Sequence, residues 1–133
     1  MIRHANLVSW EKKLKTILDQ LDDHLETRYG GTYNLHPARA RRGQTSNKAH
    51  DGLFDIVASF SLGTGSQHGK GYVIDVHMAT LDHIPCQVQE EIKRITLSHL
   101  RKTLPNYFPG THLQVDMDGA LIKIHGDLSL GDL

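Results

Sequence analysis

Asp75 and His77 stand two residues apart in YVIDVHMA, a segment that alternates apolar and polar side chains. On a strand, that spacing puts carboxylate and imidazole on one face, roughly 7 Å apart by strand rise. Asp55 occupies the matching phase of a second alternating segment, LFDIVASFSL. Together the three could hold a divalent metal or orient a general base, with Asp75 and His77 as catalytic candidates and Asp55 as helper. None of the ten histidines falls into an HExxH pattern or another spacing with defined ligand geometry. A metal-assisted or acid–base enzyme is therefore one expectation; no cofactor is predicted beyond the divalent metal that such a set could hold.

A second group suits a different chemistry. Arg39, Arg41, Arg42 and Lys48 lie in a stretch, residues 30–50, that contains no acid. Residues 51–133 carry six basic and ten acidic side chains, so a basic segment is joined to an acidic body in a chain of zero net charge. Guanidinium groups bind phosphate and carboxylate oxygens in bidentate fashion, which makes the 38–48 loop a candidate for a small anionic ligand or an acidic partner. The same charge pattern also allows the loop to dock on its own acidic body, or on that of a second subunit. Lys70 extends the anion-binding set, in the glycine-rich tip GTGSQHGKG. That tip is no phosphate loop: Gly71 stands where Ser or Thr should follow the lysine, and it joins two strands where a helix should open. Nucleic acid is disfavoured, since no aromatic side chain lies between Tyr33 and Phe54 to stack a base.

The elements that must position these groups follow from periodicity. Leu7, Trp10, Leu14, Ile17, Leu18, Leu21 and Leu25 recur at steps of three and four, which predicts an amphipathic helix over 6–29 stopped by Gly30 and Gly31. Residues 30–51 lack periodicity and form a connection longer than compact domains ordinarily use, so they are expected to be functional or partly disordered. Segments 53–62 and 72–80 predict an antiparallel hairpin with a flexible tip. A second amphipathic helix is expected over 84–104, with Asp82 or His83 near its cap, Pro85 in its first turn and PNYFPG ending it. Strands over 112–117 and 120–125 are joined by Asp118-Gly119, a two-residue hairpin signal, and the GDLSLGDL tail extends or frays.

The order α-β-β-α-β-β predicts a two-layer α+β sandwich, a four-stranded antiparallel sheet with both helices on one face. Moving the last strand to the front gives β-α-β-β-α-β, a circularly permuted ferredoxin-like topology. The 133 residues, 14.9 kDa, read as one domain spanning 1–133 with the long basic loop 30–51 inside it. Apolar runs are only a few residues long, which excludes a membrane helix, and the lone Cys86 excludes an internal disulfide and fits a reducing cytoplasm. The half-apolar outer sheet face favours a homodimer. A non-catalytic binding module is preferred over the enzyme. A structural subunit of a larger assembly is the third reading.

Overall fold

The computed structural model describes residues 2–63 and 69–126. The central part of the hairpin tip, 64–68, and the tail, 127–133, lie outside the described residues, and so do the expectations made for them. Two helices, α1 (Ile2–Tyr29) and α2 (Cys86–Tyr107), accompany four strands: β1 (Phe54–Ser61), β2 (Gly71–Met78), β3 (Leu113–Asp118) and β4 (Leu121–Gly126). The sheet is antiparallel throughout, in the order β1-β2-β4-β3. The α+β architecture is thus as the periodicity predicts.

The core lies between the sheet and the helices. From α1 it takes Trp10, Leu14, Ile17, Leu18, Leu21, Leu25 and Tyr29, all buried, as the steps of three and four require. From α2 it takes the single row Ile92, Thr96, Leu100 and Leu104. Phe54, Ile56, Ile74, Val115, Ile122 and Ile124 line the same side of the sheet, so both helices cover one face. Thr96 is fully buried and satisfies its hydroxyl by donating to the Ile92 carbonyl at 2.8 Å, which lets a polar residue occupy a core position.

Three local expectations change. Asp82 does not cap α2; its carboxylate accepts the Asn34 N–H at 2.7 Å, and Pro85 occupies the cap with no side-chain hydrogen bond. The PNYFPG segment ends α2 as expected, but at Tyr107, three residues past the expected bound, with Pro105 inside the last turn. In the last turn a proline removes only the bond to the Arg101 carbonyl, and the Phe108 N–H still reaches the Leu104 carbonyl at 2.8 Å. The 30–51 connection is a folded strap rather than a bare loop. It contains a 3-10 turn (Lys48–His50) and a parallel bridge between Ala40 and Asp51.

A candidate binding cleft at the open end of β2

The Ala79 N–H donates to the Leu53 carbonyl at 2.7 Å, and this fixes the phase of the β1–β2 ladder. Main-chain groups of residues 71, 73, 75 and 77 face β1, so those of 72, 74, 76 and 78 turn towards β4. The last β2–β4 partners are Ile74 and Ile122, because the chain turns back into β3 just before Leu121. Beyond that point β2 runs on for four residues with β1 on one side and no strand on the other among the described residues. The Thr80 N–H takes the Met78 carbonyl at 2.9 Å. The Val76 N–H and C=O and the Met78 N–H therefore look into a gap.

That gap is a cleft of about 260 Å³ running along residues 74–78. Ile84, just ahead of α2, and Ile92 and the buried Thr96 on α2 form its inner wall, with Gln89 and Lys93 at the rim, and Ala120 and Leu121 close the turn end. Asp75 and His77 stand exposed on the outer side of the same strand. The combination is apolar lining, a strand edge with unused donor and acceptor, and a charged rim of both signs. Sequence periodicity finds β2 but carries no signal for this feature, since the gap depends on where a different hairpin turns.

Asp55 lies directly across from His77, and Asp75 across from Val57, so the structure brings Asp55, Asp75 and His77 to one sheet face. Among the described residues no group of three or more His, Cys, Asp or Glu side chains is arranged to hold a metal ion. Elsewhere on this face Lys123 and His125 are buried. Lys123 Nζ reaches the Gly69 carbonyl at 2.5 Å and Asp118 at 3.3 Å, and His125 Nε2 lies 2.8 Å from Asp116. The bond from His125 holds the Asp116 carboxyl below its usual range, against a smaller opposing effect of burial.

The basic strap turns its cations inward. Arg39 donates to the carbonyls of Gly52 (3.0 Å), Asp51 (3.1 Å) and Phe54 (3.0 Å). Arg42 sits among three carboxylates, at 2.7 Å from Asp22, 2.5 Å from Asp23 and 3.4 Å from Asp51, and Lys48 reaches Asp23 at 2.6 Å. Arg41 and Lys70 remain exposed. Asp51 is buried; burial raises its pKa, but the N–H and hydroxyl of Thr45, the N–H of Gly43 and the charge of Arg42 outweigh it and leave the carboxyl below its ordinary range. Asp22 behaves oppositely. Burial pushes its carboxyl up to about 7 even with Arg42 beside it. The docking residues sequence reasoning missed are Asp22 and Asp23 on α1, Asp51 at the end of the strap, and Glu26, whose carboxylate accepts the Leu53 N–H at 3.0 Å.

Fold and cleft together define a small α+β protein with an interrupted sheet. A family model described as an uncharacterised protein matches residues 5–126, and the chain belongs to that family. An uncharacterized protein of Borreliella burgdorferi is 34% identical over 117 residues, covering 88% of this chain and 91% of its own length. No solved structure matches the chain.

Proposed function

We propose that this protein is a non-catalytic binding module that takes an extended segment of a partner polypeptide into the cleft beside β2. The observation that carries this reading is the Val76 main-chain edge, left without a neighbouring strand inside an apolar cleft. A donor and acceptor on one residue can pair with an incoming strand, which supplies affinity through the main chain and specificity through alternate side chains. The residue opposite Val76 would point its side chain to the inner wall, against Ile84 and Ile92, so it should be apolar. Its neighbours would point outwards beside Asp75, so they should be basic or polar. Inward commitment of Arg39, Arg42 and Lys48 favours this cleft over the basic strap as the binding element. The module works as a pair of copies. The single exposed thiol, Cys86, supports placing it in the reducing cytoplasm. The strand order also supports the permuted ferredoxin-like topology, since β4 moved to the front becomes a first strand lying between the third and fourth.

Selection from a displayed random-peptide library, followed by amide NMR titration of the best binder, tests the reading. Binders should share an apolar residue flanked by basic or polar ones and shift the amides of 74–78 and 120–122. Leu121→Arg, at an exposed position closing the cleft, should weaken binding at least tenfold without altering the fold. A library that yields no binder, or a binder whose shifts map elsewhere, overturns the proposal.

A further inference from the structure

The two outer edges of the sheet are treated differently. At β3 the Arg101 guanidinium lies along the edge, donating to the Val115 carbonyl at 2.8 Å and to Asp116 at 3.0 Å. At β1 the strap lies near the start of the strand, where the Arg39 guanidinium reaches the Phe54 carbonyl, the 3-10 turn Lys48–His50 packs against the strand and Asn47 borders the groove beside Ile56–Ala58. The ladder phase that points the groups of Val76 away from β1 also points those of Ile56, Ala58 and Phe60 outwards from the sheet. Edges of this kind are normally blunted by a lysine, a proline or an inward charge. Residues 56–62, IVASFSL, contain none of these. Val57, Phe60 and Leu62 are moreover among the most exposed large apolar residues of the chain, at 46%, 53% and 78%.

We propose that two copies of this chain join along β1, edge to edge and antiparallel about a two-fold axis near Ser59, to form a continuous eight-stranded sheet. The inference rests on the reading that the protein self-associates, and it names the surface. Charge favours a second copy as the occupant. An uncharged 56–62 segment meets its own image without opposing like charges. Beside it, Glu11, Lys15 and Asp19 of α1 flank the groove along Ile56–Ala58, spaced one helical turn apart with alternating sign. Two such rows running antiparallel and offset by one turn place Glu11 against Lys15 and Lys15 against Glu11. Pairing of equivalent surfaces also closes the assembly at two copies, because each chain has one such edge. The outer sheet face is less suited to this role. Its centre is filled by the ion pair of Lys123 with Asp118 and the hydrogen-bonded contact of His125 with Asp116.

The test uses untagged full chain in size-exclusion chromatography with light scattering, with two variants. Ala58→Pro removes an outward N–H and leaves the β1–β2 ladder its bonds. Ser59→Lys places two like charges near the axis. The wild type should have about twice the 14.9 kDa chain mass, and both variants should elute as folded monomers by circular dichroism. A wild type that is monomeric up to 200 µM overturns this interface and the self-association reading together. A dimer that survives in both variants overturns the β1 interface alone and leaves self-association standing. Should either variant unfold, hydrogen exchange of the wild type decides: slow amides at Ile56, Ala58 and Phe60 support the pairing, and fast ones overturn it.

Discussion

Asp22 and His99 are the two side chains whose ionisation burial has displaced most plainly, and they act in opposite directions. Burial raises Asp22 to about 7, so the folded chain holds a proton there that the unfolded chain has released above about pH 4. Its contribution is present at low pH and is lost as pH rises towards 7. Burial lowers the pKa of His99, whose Nε2 lies 3.0 Å from the Ile17 carbonyl. The unfolded chain then takes a proton near pH 6.5 that the folded chain refuses, so His99 withdraws stability as pH falls below that value. In the wild type the two trends offset each other below pH 6.5. Asp22→Asn removes one of them. Urea unfolding at pH 5.5 and 7.0 should show stability falling towards the lower pH in the variant but flat or rising in the wild type, a divergence of roughly 1–2 kcal/mol. Parallel profiles would show that Asp22 is ionised in the fold.

At the scale of elements, the strap between α1 and β1 is held at its C-terminal end by one glycine. Gly52 has φ +73°, and a Cβ there would lie 2.9 Å from the Glu26 carboxylate that receives the Leu53 N–H. Its own N–H reaches the Ala40 carbonyl at 2.9 Å, and its carbonyl receives Arg39. Gly52→Ala combines a left-handed backbone with a displaced carboxylate and should cost about 1–3 kcal/mol in thermal or urea unfolding. Gly31→Ala, with nothing within 4 Å of the added carbon, is the control and should stay within about 0.5 kcal/mol. Both helices, both hairpins and the buried face of α1 were legible in the sequence, because period 3.6 and period 2 are local properties of the chain. The cap of α2 was not. Asp82 has the right composition for a cap, but a tertiary partner, the Asn34 N–H, takes its carboxylate.

For the whole molecule, the proposed β1 pairing would make stability depend on concentration, since a dimer unfolds to two chains. Raising the chain concentration a hundredfold, from 1 to 100 µM, should lift the wild-type melting temperature by several degrees and leave that of Ser59→Lys unchanged. Equal melting temperatures across that range would argue against a dimer held together at those concentrations. The candidate sites were only partly legible at this scale. Composition pointed to the 38–48 cations as the reactive surface, yet three of the four turn inward. The Asp55, Asp75 and His77 set was found from alternation alone, because cross-strand neighbours share a face once the hairpin register is right.

By itself the sequence determined the element types, their order, the buried face of α1 and the excess of cations in the strap. Those follow from side-chain period and local charge. Only the tertiary structure decided where the charges of the strap end, since Asp22 and Asp23 meet Arg42 only after α1 and the strap pack together. It alone also decided that β2 outruns β4. A gap in a sheet is set by the register between strands far apart in the chain, and no single segment encodes it.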